Sequence, residues 1–240
     1  MAIRDFHNRH AGDTCVIIGN GPGLNDIPLD LLKGYISFGV NQLYKRGDGF
    51  RPHYYVAVDS RTMREHRKAI EAAYGNLPFF LSSDLKEWTG RNVSHFTHRP
   101  GGIYRPGVNV EANPIELMDR IGIAWTTVVH AALQVAYYMG FTTLLCVGLD
   151  NKADGLHCYG QEKAGGYPGE WDQGYGELRQ WFEQSKPPRR IINLSTVTGV
   201  TTLERGDWRE YVERSGDGGV LQEVKPRSVA TRRKRRNLDT

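Results

Sequence analysis

Apolar residues along the chain fall into two kinds of segment: short β-branched runs, and longer stretches with apolar residues at helical spacing. Thr14–Ile18 reads as a buried strand. The stretch LNDIPLDLLKGY that follows places Leu24, Ile27, Leu31 and Leu32 on a short helix stopped near Gly34. Tyr35–Val40 predicts a second strand ending at Asn41, and His53–Val58 a third ending at Asp59. SRTMREHRKAIEAAYG predicts a helix with Met63, Ile70 and Tyr74 available for packing and Gly75 as its terminator. LPFFLS is a fourth strand, and residues 86–113 read as irregular. Residues 126–139 are apolar on most sides, which predicts a largely buried helix closed by Gly140. Phe141–Gly148 is a central strand leading to Leu149-Asp150, and 151–173 a second irregular, Gly-rich loop. Tyr175–Ser185 is a helix with Leu178, Trp181 and Phe182 on one side, and Arg190–Leu194 a last strand.

This rhythm predicts an α/β fold: a Rossmann-like, mainly parallel sheet with helices on both faces. We expect one domain over residues 14–222, an N-terminal extension over 1–13 and a disordered basic tail over 223–240. Composition supports a globular chain, at 39% hydrophobic and 24% charged residues. No apolar run is long enough to span a membrane, and the polar start has no signal-peptide core, so a cytoplasmic location is expected. The formal charge of +4 is unevenly placed. Seven Lys and Arg against Asp239 give the last 16 residues +6, which leaves −2 for the first 224. Basic character therefore belongs to a tail able to touch an acidic surface, not to the body. Cys15, Cys146 and Cys158 form no CxxC pair, and no disulfide framework or Cys-rich zinc site is indicated.

Candidate chemistry gathers at the ends of the strands, where open α/β sheets bind ligands. Gly19-Asn20-Gly21, Asn41, Asp59 and Asp150 each follow an apolar strand. The run Gly19-Asn20-Gly21-Pro22-Gly23 is not the dinucleotide fingerprint, since its third glycine comes too early, and no Walker loop exists. Its backbone amides can nevertheless face an anion, and Asn20 offers both a donor and an acceptor.

The segments GNGPGLNDIPLDLLKGYISFGVNQLY, PHYYVAVD, TTVVHAALQVAYYMGFTTLLCVGLD, HCYG and RRIINLS resemble one superfamily over roughly residues 14–205. It groups bacterial sialyltransferases that make lipooligosaccharide, motility-associated glycosyltransferases that modify flagellin, and archaeal 6-hydroxymethylpterin diphosphokinases. The resemblance implies a phosphate-activated donor, such as a nucleotide sugar, held by the first turn and Asn41. Two departures stand out. Gly23 replaces a serine of the usual pattern. Gln161 stands where the sialyltransferases carry a histidine base, so the HCYG segment is closer to the flagellin-type relatives.

Within this frame His157 is the candidate general base for an acceptor hydroxyl. Tyr159 and Tyr167 are placed to bond a phosphate leaving group, and Arg99 and Arg105 to clamp phosphates. Thr126 and Thr127 cap the buried helix or touch donor phosphate. His130, inside that helix, reads as a core histidine, and His95 and His98 lack a third metal ligand. Asp59 and Asp150 either bind sugar hydroxyls or, in a diphosphokinase, hold Mg²⁺. Three readings follow. The first is a nucleotide-sugar-dependent glycosyltransferase acting on a glycan or other hydroxyl acceptor. The second is an ATP- and Mg²⁺-dependent diphosphokinase-like enzyme. The third is a non-catalytic nucleotide- or sugar-binding module.

Overall fold

A computed structural model describes residues 3–96, 98–99, 123–124, 127–152, 154–161 and 168–211 of the chain. Thr126, Arg105, Tyr167 and the stretch from 212 to the end, the basic tail included, lie outside the described residues. For His98, Arg99 and Gln161 only the backbone is described.

The strands are β1 (Thr14–Ile18), β2 (Ile36–Val40), β3 (Tyr54–Ala57), β4 (Phe79–Ser82), β5 (Val93–Phe96), β6 (His98–Arg99), β7 (Ile123–Ala124), β8 (Thr143–Val147), β9 (Leu156–His157), β10 (Gly160–Gln161), β11 (Arg190–Asn193) and β12 (Glu204–Arg205). The helices are α1 (Ser60–Glu65), α2 (Arg67–Tyr74), α3 (Val128–Tyr138) and α4 (Pro168–Gln184). Eight strands form one sheet in the order β12-β11-β8-β1-β2-β3-β4-β5, and every pairing in it is parallel. The fold is therefore α/β with a Rossmann-like parallel sheet. From β1 the chain winds outward through β2 to β5, then returns to place β8 on the other side of β1. The winding reverses between β1 and β8, where Ile18 sits opposite Val147.

A parallel sheet must be covered on both faces, and the alternation of side chains along its strands does this. Cys15, Ile17, Phe38, Val40, Val56, Leu144 and Cys146 face α3 and α4 in one core. Val16, Ile18, Leu145, Val147 and Ile192 face Leu24, Ile27, Leu29 and Leu32 on the other side. Further along that face, Tyr55, Ala57, Phe79 and Leu81 pack on Met63, Ile70 and Tyr74 of α1 and α2. α3 is buried along its whole length, so it carries no polar face. Residues before β1 join the first core: the Phe6 ring packs edge-on against Phe80 at 4.8 Å. The amides of Asn8, His10 and Gly12 donate to the carbonyls of Tyr138, Met139 and Gly140.

Several elements differ from the sequence expectation. The helix expected over Leu24–Leu32 is two 3₁₀ turns, Pro22–Asp26 and Leu29–Leu32. Pro28 separates them, because it has no amide hydrogen and pushes Ile27 out of helical space. The helix expected over 60–74 breaks at His66 into α1 and α2. Residues 86–113 are not wholly irregular, for they contain the edge strand β5, whose Ser94 and His95 interrupt the apolar pattern. The late loop carries the β9–β10 hairpin, and α4 starts at Pro168, well before Tyr175. Its first turns are polar, and proline suits the first helical position. Among the described residues no helix is long and apolar enough to cross a membrane.

Candidate functional site

The reversal between β1 and β8 is where a doubly wound sheet opens a crevice, since the connections leave in opposite directions. A cavity of about 270 Å³ lies there. The tips of β1, β2 and β8 line it with Gly19, Asn20, Gly21, Asn41, Gly148, Asp150 and Asn151. The start of α3 adds Thr127, Val128 and Val129; the late loop adds Lys152, Leu156 and His157; α4 adds Trp171 and Tyr175. The structure thus brings Gly19, Asn20, Gly21, Asn41, Thr127, Asp150 and His157 to one place. Asn151, Lys152 and the α4 aromatics are added to the expected set. Asn151 follows a strand-tip Asp and adopts φ +57°, a left-handed conformation that asparagine tolerates well.

The amides of the three glycines in the expected phosphate-binding turn bond within the fold. Gly19 donates to Val147 O (2.9 Å), Gly21 to Gly148 O (2.9 Å) and Leu24 to Gly21 O (3.0 Å). Gly23 donates to Asp150 Oδ2 at 2.7 Å. Asp150, only 3% exposed, lays its carboxylate into the turn. A Cβ on Gly21 would stand 2.4 Å from Asp150 Cγ, so the glycine makes room for this carboxylate. Pro22 opens the following 3₁₀ turn, a position that needs no amide. The loop after β11 holds the Asp150 backbone: Ser195 Oγ accepts from Leu149 N (2.7 Å), and Gly199 N donates to Asp150 O (2.8 Å). Burial raises the Asp150 pKa, opposed by the Gly23 bond and by Lys152.

The start of α3 forms another wall of the cavity. Thr127 is its N-cap residue, yet its side chain does not cap the helix. The Tyr175 side chain instead shares a hydrogen bond with Thr127, while burial raises the Tyr175 pKa well above its ordinary value. The first turn of α3, with Val128 and Val129 on the cavity wall, therefore presents amides and the positive end of the helix dipole. His130, one turn in, is fully buried, with its Nε2 3.1 Å from Trp171 O and its ring edge-on to Tyr175. Burial holds its pKa down at about 3, so it is a neutral core residue bracing the two helices.

His157 sits on β9, and its ring stacks on Tyr159 with centroids 5.1 Å apart. The hairpin is tied across the glycine turn, since Cys158 N donates to Asn20 O (2.8 Å) and Asn25 Nδ2 to Cys158 O (3.0 Å). Lys45 Nζ lies 5.4 Å from the Tyr159 ring centre. Tyr159 itself is not on the cavity wall. Asp59 is also outside it. Its carboxylate caps α1, accepting from Thr62 N (3.1 Å) and Thr62 Oγ1 (2.7 Å). Asn41 is at the cavity with φ +44°, its carbonyl accepting from the hydroxyl of fully buried Tyr55. Among the described residues, no three His, Cys, Asp or Glu side chains come together as a metal site.

No family model matches the chain, and neither a curated protein nor a solved structure matches it.

Proposed function

We propose that the chain is a transferase that draws on a nucleotide-activated donor, with a glycosyl group as the group transferred. One observation carries this. At the reversal of the sheet, a helix N-terminus that the Thr127 side chain leaves uncapped faces strand tips rich in carboxamide and carboxylate groups, with an imidazole on the same wall. Phosphate suits the first end, hydroxyl donors the second. His157 takes the proton of an acceptor hydroxyl as its oxygen attacks the anomeric carbon. The bond from that carbon to the leaving phosphate oxygen breaks, and the electron pair stays on the phosphate, next to the first turn of α3. Leu156, 45% exposed at the rim, gives the acceptor an apolar edge.

The test is a thermal-shift screen with CMP, UDP, GDP and ATP, each with and without Mg²⁺. A nucleotide at a hundredfold its Kd stabilises by about 2.7 kcal/mol, a readily visible shift. Stabilisation by CMP, UDP or GDP without metal is the expected result, with loss of donor turnover in His157→Ala. Stabilisation by ATP with Mg²⁺ alone gives the diphosphokinase reading. Binding with no turnover makes the chain a binding module. A chain that no nucleotide stabilises is not a transferase of this kind.

A further inference from the structure

The wall of the cavity carries few full charges. Among the described residues that line it, Lys152 is the single Lys or Arg and Asp150 the single carboxylate. Asp150 is committed: it is buried, its Oδ2 accepts from Gly23 N at 2.7 Å, and its carboxylate packs against the glycine turn. Lys152 is exposed and makes no hydrogen bond or salt bridge with another described residue. Its side chain is free, but the backbone before it is held. Leu149 N donates to Ser195 Oγ (2.7 Å), Gly199 N to Asp150 O (2.8 Å) and Asn151 Nδ2 to Pro168 O (3.1 Å). The loop after β11 and the start of α4 thus fix the tip of β8, and the next side chain along is a cation on the cavity wall. A cleft with charge of one sign on its wall draws ligand groups of the other sign towards it.

We propose that Lys152 holds the donor's phosphate and compensates the charge left on it when the glycosyl group departs. This rests on the transferase reading and adds to it a catalytic residue that the strand-tip pattern did not single out. As the bond from the anomeric carbon to the phosphate oxygen breaks, the electron pair stays on that oxygen. The ammonium meets the new charge through an N–H···O bond and keeps its proton. Its flexible four-carbon stem lets it follow the phosphate as the bond lengthens. The Asp150 carboxylate competes for the same cation, since Lys152 acts on its titration from close by. The experiment therefore separates the two duties.

Calorimetric titration of the whole chain tests this with uridine, UMP and UDP, or with the matching series of whichever nucleotide binds. Lys152→Ala should weaken the phosphorylated ligand on the order of ten- to a hundredfold and leave the nucleoside within about twofold. Lys152→Arg should restore most of the loss, and added NaCl should weaken UDP less in Lys152→Ala than in wild type. On a donor that turns over, kcat should fall more than KM rises, because the charge is fullest in the transition state. If Lys152→Ala weakens nucleoside and nucleotide alike, or neither, the inference fails while the transferase reading stands. It fails too if only UDP-glucuronate loses affinity and UDP does not, since the lysine then holds a sugar carboxylate. A loss of stability in urea with unchanged binding makes Lys152 the counter-ion of Asp150 and likewise overturns it. Failure of every nucleotide to bind the wild type overturns both readings. Lys152→Gln repeats the comparison should the alanine variant not fold.

Discussion

Gly21→Ala isolates the contact between the glycine turn and the end of β8. Gly21 has φ −64° and ψ 151°, which alanine adopts without strain, so its backbone does not demand glycine. The demand is spatial: the three atoms nearest an added Cβ are Cγ, Oδ1 and Cβ of Asp150, at 2.4, 2.6 and 2.8 Å. None is the free end of an exposed chain, because Asp150 is buried and bonded to Gly23 N. The methyl must expel the carboxylate. Overpacking costs about 1–3 kcal/mol. Loss of a hydrogen bond to a charged group adds about 1.5–3 kcal/mol. The variant should therefore lose roughly 3–5 kcal/mol, a large part of the stability of an ordinary domain. In an Asp150→Gly background the obstacle is gone, and the same substitution should be neutral or stabilise by about 0.5 kcal/mol through the unfolded chain. Urea unfolding of the four proteins, extrapolated to water, measures both steps. An equal cost of Gly21→Ala in the two backgrounds would refute the reasoning.

Three further outcomes are expected. Below pH 6.5 an unfolded chain protonates His130, whereas the folded chain resists until about pH 3, so stability should fall as pH drops through that window. The slope assignable to this residue approaches 1.4 kcal/mol per pH unit, read as wild type minus His130→Gln in urea melts from pH 4.5 to 7.5. Tyr55→Phe removes the donor to the Asn41 carbonyl; it should cost about 1 kcal/mol in the same assay and weaken nucleotide binding by calorimetry. Asp59→Ala removes the α1 cap and should cost about 1 kcal/mol, seen as a lowered melting temperature.

The sheet was legible where strands are buried on both faces, because β1, β2, β3, β4 and β8 are mainly apolar and buried, and β11 carries the buried pair Ile191–Ile192. It was not legible at its edges. The pair Glu204–Arg205 of β12 is exposed and charged, and nothing in its composition separates it from a loop. At the cavity, the polar residues expected at the tips of apolar strands include Asn20, Asn41 and Asp150, which the fold brings together. The same signal also picked out Asp59, whose carboxylate is spent on a helix cap, as aspartate commonly is at that position. The glycine turn holds a partner that its own sequence does not name. A run of glycines announces a close approach of something. Here that something is Asp150, a residue 127 positions further along the chain. Only the folded chain reveals such a partner.

The position of β1 in the middle of the sheet has a consequence for biogenesis. β1 precedes the other strands of the sheet in the chain, yet one of its two edges stays open until β8 arrives. At about 5–20 residues per second, translating the stretch from Ile18 to Thr143 takes on the order of ten seconds. During that time the nascent chain exposes an apolar strand edge, of the kind to which chaperones and other unfinished chains adhere. Since Asp150 follows β8, and Trp171 and Tyr175 lie further along, the cavity at the sheet reversal can form only after all of these have been made.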